Sequence, residues 1–244
     1  MARSGGFFED MREGFRELYY VSRCSICDEV VPPPLPSPLI CRDCLMTLPF
    51  RMDREALRHD RIPSLYATFF YEPPISEALV SLKFASRTDR AEAIGPLMAR
   101  TVRRNRLIAD AVVPMPLHEK RLRERGYNQA YLLADVVARH LSCALADDLL
   151  IRVVATEPQS EARSAEERRR HLIDAFDVRR ASPYYEALWG RTVLLVDDVA
   201  TTGATMAEAS RTLRRAGIEV IGLVAASNHD RRIGYPEAVK AFYA

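Results

Sequence analysis

The sequence predicts an α/β fold, a mostly parallel sheet flanked by helices, with a small cysteine-based module near the N-terminus. Three observations carry that expectation. The run Val193-Leu194-Leu195-Val196 is apolar without alternation, as in a strand buried on both faces of a parallel sheet. Short apolar segments alternate with helix-length segments along the chain, the pattern left by βαβ units. Two Cys-x-x-Cys pairs lie within residues 24–44, and a module that small closes around a metal more readily than around an apolar core.

Taken in order, Phe7, Phe8, Met11, Phe15, Leu18 and Tyr19 recur at helical spacing. They predict an opening amphipathic helix whose apolar face packs on the protein. Next come Cys24-Ser-Ile-Cys27 and Cys41-Arg-Asp-Cys44. Each pair can set two thiolates on one side of a tight turn, and two such turns close a tetrahedron. The expectation is one Zn²⁺ held by Cys24, Cys27, Cys41 and Cys44 rather than disulfides. Four sulfurs leave no open position, so the site is structural, not catalytic. Reduced unliganded cysteines, or a redox pair, are the competing reading. The segment from Val30 to Pro36 is too proline-rich for a helix and reads as a stiff connector. A charged connector from Arg51 to Arg61 follows, and the domain boundary is placed there: 1–60 for the helix and zinc module, 61–244 for the main domain.

In the main domain, residues 65–71 read as a strand, followed by a turn at Glu72-Pro73-Pro74. Helices are expected over 75–84, ending in the polar patch Lys83 to Asp89, and over 90–107. A short buried strand follows at 111–114. A long helix is expected over 127–145, with Cys143 as a buried filler residue. Further strands are expected at 151–154 and 218–225.

The 244 residues suffice for one sizeable core plus a small module. With 48% apolar residues, 28% charged residues and a net charge of +2, bulk charge makes no case for nucleic acid. Lysine occurs only at 83, 120 and 240, so nearly all the positive charge is arginine. Arginine suits bidentate phosphate contacts, although codon bias produces the same excess. No signal-peptide core and no membrane-length apolar run is found, which predicts a cytoplasmic protein without membrane insertion.

The strand ending in Asp197 and Asp198 passes through Val199-Ala200-Thr201-Thr202-Gly203-Ala204-Thr205 into a helix. Free N–H groups and the positive helix end favour a phosphate there, and Gly203 lets the backbone come close to it. The two carboxylates can accept hydrogen bonds from vicinal sugar hydroxyls or help hold a metal. The pattern fits a ribose carrying a 5′-phosphate. The plain alternative is a turn and capped helix without a ligand, but two acids at a buried strand end are costly without a partner. A second cluster begins at Val113-Pro114-Met115-Pro116-Leu117-His118 and runs through the cations of 119–125 to Gly126. It can hold pyrophosphate oxygens, or be a solvated charged loop. Asn128 is well placed as a helix cap.

The segment from Val193 to Thr205 resembles the phosphoribosyl pyrophosphate (PRPP) motif of type I phosphoribosyltransferases. The wider pattern, Pro-x-Pro-Leu-His at 114–118 and Arg-Gly-Tyr-Asn-Gln-Ala at 125–130, is similar to the ComF family, phosphoribosyltransferase-like proteins linked to natural competence. That family also begins with four cysteines and shows a Thr-x-x-Gln element and an Arg-rich stretch before Ala-Phe. Here these are Thr156, Gln159, Arg168 to Arg170 and Ala175-Phe176. His171 departs from the family's usual Asn, and no segment marks how a nucleobase is chosen.

The resemblance implies a type I phosphoribosyltransferase-like fold. It implies that Asp197 and Asp198 are catalytic acids on the ribose hydroxyls, and that Val199, Ala200, Thr201, Thr202, Gly203, Ala204 and Thr205 bind PRPP as the phosphate loop. Pro116, Leu117, His118 and Arg125 line the pyrophosphate side, supported by Arg121, Asn128 and Gln129. Mg²⁺ accompanies PRPP, and residues 156–171 form either a loop that closes over it or an exposed helix in which Glu166 and Glu167 pair with Arg168 to Arg170. The implied function is PRPP binding in natural transformation, with handling of incoming DNA. Two alternatives stay open. One is an active transferase moving ribose 5-phosphate to a nitrogen acceptor. The other is a single-stranded-DNA-binding adaptor that no longer uses PRPP, its charge supplied by Arg121, Arg123, Arg125 and Arg168 to Arg170, with Tyr127 for stacking. A DNA-uptake helicase or other competence protein is the expected partner class.

Overall fold

A computed structural model describes residues 23–31, 39–51, 57–59, 62–154 and 174–227. The expected opening helix, most of the proline connector and the 156–171 segment lie outside the described residues, as does part of the charged connector.

The main sheet is built from β1 (Leu57–His59), β2 (Ile62–Phe70), β3 (Ala111–Pro114), β4 (Ala144–Leu145), β7 (Thr192–Ala200) and β8 (Glu219–Ser227). Its order is β1-β2-β8-β7-β3-β4. All neighbours pair in parallel except β1, an antiparallel edge strand. β7 lies between β3 and β8, with Leu195 opposite Val113 on one side and Gly222 on the other. Its four apolar residues 193–196 are all fully buried. Alternation along the strand sends Leu194 and Val196 into the core on one face and Val193 and Leu195 into the core on the other.

One face is covered by α2 (Ile75–Phe84), α3 (Asp89–Arg104) and α5 (Gln129–Leu141). Ile75, Ala78, Leu79 and Leu82 form the buried stripe of α2 at helical spacing. α3 and α5 approach so closely that a Cβ at Gly95 would lie 2.5 Å from Val136 Cβ. Only a residue without a side chain fits that contact. The opposite face carries α7 (Ala204–Arg215), the single turn α6 (Tyr184–Ala187), and a separate antiparallel pair of β5 (Leu150–Arg152) and β6 (Phe176–Val178).

The cysteine knuckles and the short helix α1 (Arg42–Thr47) share the first core. Cys24, Ile26, Ile40, Cys44, Leu48 and Phe50 are buried with Phe69 and the α2 and α3 residues. Asp28, in the turn after the first knuckle, pairs with Arg87 at 2.6 Å and with the buried Arg90 at 2.7 Å.

Four expectations change. The charged connector contains the edge strand β1, recruited by pairing with β2. Residues 119–125 are a helix, α4 (Glu119–Arg125), capped by His118 and ended by Gly126 at φ 81°. The long helix expected over 127–145 covers only 129–141. Ser142 stops it in the left-handed region at φ 55°, and the chain re-enters the sheet as β4. Cys143 therefore follows the helix and is half-buried, its thiol donating to the Ala109 carbonyl at 3.6 Å. The strand expected at 151–154 pairs with β6, off the main sheet.

Candidate functional site at the carboxyl ends of the strands

In a parallel sheet, the strands' carboxyl ends gather the loops that bind ligands. β7 delivers Asp197 and Asp198 to that edge, and α7 starts at Ala204 after a short turn. Because successive side chains point to opposite faces, the two acids divide the space above the strand. Asp198 follows Leu194 and Val196 towards α2 and is buried. Lys83 in the last turn of α2 reaches it, Nζ to Oδ2, at 3.7 Å. Asp197 follows Val193 and Leu195 and accepts the Asp198 N–H at 2.8 Å. Burial, then the charge of Asp198, pushes the Asp197 carboxyl well above the usual carboxylate range, while the Asp198 N–H and Lys83 act in the opposite direction. On the Asp197 side, Arg152 lies over the Phe176 ring, 5.4 Å from its centroid. Burial and the charge of Arg121 lower its proton affinity, and Asp197 opposes both.

The phosphate-loop candidates follow directly. Thr201 and Thr202 are exposed, Gly203 is buried, and Ala204 and Thr205 are half-buried. Gly203 sits at the N-cap of α7 with φ 67°, a conformation that other residues adopt at a cost. Thr202 Oγ1 accepts the Ala204 N–H at 3.4 Å. The turn thus sets hydroxyls and the start of a 12-residue helix beside the two acids.

The second cluster flanks the first. β3 pairs with β7 up to Pro114 opposite Val196, and the Met115 N–H donates to the Val196 carbonyl at 2.8 Å. Pro116, Leu117 and His118, all half-buried, therefore leave the sheet next to Asp197. His118 Nδ1 accepts the Lys120 N–H at 3.2 Å and so caps α4. Asn128 caps α5 by accepting the Ala130 N–H at 3.0 Å and holds the loop by donating to the Met115 carbonyl at 2.9 Å. Arg125 donates to Gln129 Oε1 at 2.7 Å and lies 5.2 Å from the centre of the Phe84 ring. The Tyr127 hydroxyl donates to the Leu82 carbonyl, joining this cluster to the end of α2.

Lys83 was noted in the sequence as one of three lysines in an arginine-rich chain, but no local pattern assigned it to the site. Its role depends on where the tertiary fold puts the end of α2.

The four cysteines also meet. Their sulfurs all lie within 4.8 Å of one another. Thiolates about 2.3 Å from a central ion stand about 3.8 Å apart in a tetrahedron, and Cys27 and Cys41 Sγ are 3.8 Å apart. Cys24 Sγ accepts N–H groups of Ile26 at 3.4 Å and Cys41 at 3.2 Å, and Cys41 Sγ accepts that of Cys44 at 3.3 Å. Burial raises the Cys24 pKa, but the backbone donors outweigh it and bring the thiol down to about 7. Burial pushes Cys44 strongly up, and the neighbouring thiols add to this. The cluster can hold one metal ion. Among the described residues, no helix is long and apolar enough to cross a membrane.

Residues 128–243 match the family model described as the phosphoribosyl transferase domain. Competence protein ComFC of Bacillus subtilis is 30% identical over 181 residues, which are 73% of this chain and 67% of that protein. DNA utilization protein YhgH of Escherichia coli K12 is 35% identical over 156 residues, 62% of this chain and 66% of its own length. Competence protein F of Haemophilus influenzae is 36% identical over 159 residues, again 62% and 66%.

Proposed function

We propose that this chain, which belongs to the ComF family, binds PRPP at the end of β7 and acts in natural transformation. The observation that carries the reading is the position of Asp197 and Asp198 at the carboxyl edge of an interior parallel strand, immediately before a glycine-capped helix start. Asp197 and Asp198 accept the ribose hydroxyls. Val199 to Thr205 form the strand exit and turn that receive the 5′-phosphate at the head of α7. Pro116, Leu117 and His118 line the pyrophosphate side, and Arg125 adds charge at its edge. Mg²⁺, held mainly by PRPP oxygens and water, neutralises the pyrophosphate.

The four-cysteine cluster holds a structural Zn²⁺: the donors are all sulfur, and their spacing fits a tetrahedron with all four positions filled. The part played in transformation comes from the relatives, whose names tie them to competence and DNA utilization. The test is calorimetric titration of PRPP with Mg²⁺ into the zinc-loaded protein. Asp197→Asn with Asp198→Asn should abolish binding and leave the circular dichroism spectrum unchanged. Native-like PRPP affinity in the double variant would reject the assignment.

A further inference from the structure

The last residue of α2, Phe84, is 70% exposed, yet cations hold its ring. Lys83 Nζ lies 5.8 Å from the ring centre and the Arg125 guanidinium 5.2 Å. Cations at such distances are drawn to the ring's π face. Arg125 is itself fixed by Gln129, and Lys83 by Asp198. The peptide just before these residues is pinned as well, since the Leu82 carbonyl accepts the Tyr127 hydroxyl. A large apolar ring is thus presented to solvent in a set orientation, and one lysine links it to the buried acid of the PRPP site. Scattered exposed apolar residues are ordinary. An exposed ring with two cations on it, at the mouth of a phosphate-binding site, has a further use. It is the pairing that binds a nucleobase with its phosphate: the ring stacks on the base and the cations meet the anionic oxygens.

We propose that Phe84 is the stacking platform for a planar nucleobase, with Lys83 and Arg125 receiving the neighbouring phosphate. The assignment rests on the reading of the adjoining site as a PRPP site and supplies what the sequence lacks, a place where a base is received. The base comes either as a free nucleobase beside PRPP or as part of a single DNA strand, and the chemistry of the contact is the same.

The test uses the full zinc-loaded chain. In a Trp189→Phe, Phe84→Trp variant the only indole stands at the platform. Its fluorescence is titrated with free adenine, guanine, cytosine and thymine, and separately with a 20-nucleotide deoxythymidine strand, with and without PRPP and Mg²⁺. Quenching by free bases identifies a small acceptor, and quenching by the strand identifies DNA. In parallel, Phe84→Ala should weaken binding of whichever ligand quenches by about tenfold or more, with Phe84→Tyr restoring most of it and PRPP affinity unchanged in both. No quenching by any base or strand, or equal affinity in Phe84→Ala and the native chain, overturns the proposal. Phe84-dependent base binding in a native chain that does not bind PRPP would instead overturn the PRPP reading and leave the platform standing.

Discussion

Replacing Asp197 with asparagine should make the protein more stable while removing PRPP binding. Burial and the charge of Asp198 both disfavour the ionised Asp197 carboxyl, and a close like-charge pair in an effective dielectric of about 20 costs on the order of a few kcal/mol. Lys83, at 3.7 Å from Asp198, offsets part of that, leaving a cost of about 1–2 kcal/mol. Asparagine keeps an oxygen that can accept the Asp198 N–H and leaves the Lys83–Asp198 pair in place. For a chain of this size the melting temperature should rise by about 3–6 °C at pH 7.5.

The pH dependence fixes the sign. In the unfolded chain the Asp197 carboxyl titrates near about 3.9. In the fold, burial and Asp198 raise its pKa. Below about pH 4 both states hold the proton and the difference vanishes. As pH rises, the unfolded chain releases its proton first, so the native protein loses stability relative to the variant until the raised pKa is passed. Scanning calorimetry from pH 4 to 8 should therefore show the gap opening with pH. A variant less stable than the native chain at pH 7.5, or a gap that does not change with pH, would refute the view that burial beside Asp198 makes the Asp197 carboxyl costly to the fold.

Three further outcomes follow from the packing. Removing the metal with a chelator should lower the melting temperature sharply, because Cys24 and Cys44 are part of the first core and metal binding free energy is folding free energy. An unchanged melting temperature, with no zinc found by elemental analysis, would contradict a structural site. Asp28→Ala strips the buried Arg90 and its neighbour Arg87 of their shared partner and should cost about 2 kcal/mol by urea unfolding, with Asp28→Asn recovering part. A loss below about 0.5 kcal/mol would show the contact to be ordinary surface pairing. Gly95→Ala gains about 1 kcal/mol in helix propensity but meets Val136 at 2.5 Å. Overpacking of about 1–3 kcal/mol should make the net change destabilising, and Val136→Ala should relieve it in a double-mutant cycle.

The main sheet was readable where the residues themselves decide the outcome. The 193–196 run has no polar face, so it is a strand buried on both sides. The 75–84 helix shows its stripe at 75, 78, 79 and 82. Where tertiary partners decide, local pattern misled. Residues 119–125 carry charge all round and bury nothing, so no apolar period announces α4. Its evidence is the pair of ends, His118 and Gly126. The sequence between 141 and 145 stays apolar, and only the left-handed Ser142 separates helix from strand. β1 exists because β2 offers it an edge. In the site, the acids, the glycine turn and the cysteines were legible because each sits in a short contiguous motif. Lys83 and Phe84 were not, because they come from a helix whose end meets β7 only in the fold.

The most direct test of PRPP binding is a crystal structure of the zinc-loaded protein with PRPP and Mg²⁺. The 5′-phosphate should lie in the 201–205 turn, the ribose hydroxyls on Asp197 and Asp198, and the pyrophosphate against residues 116–118. PRPP bound elsewhere, or a site that stays empty at saturating ligand, would contradict that assignment.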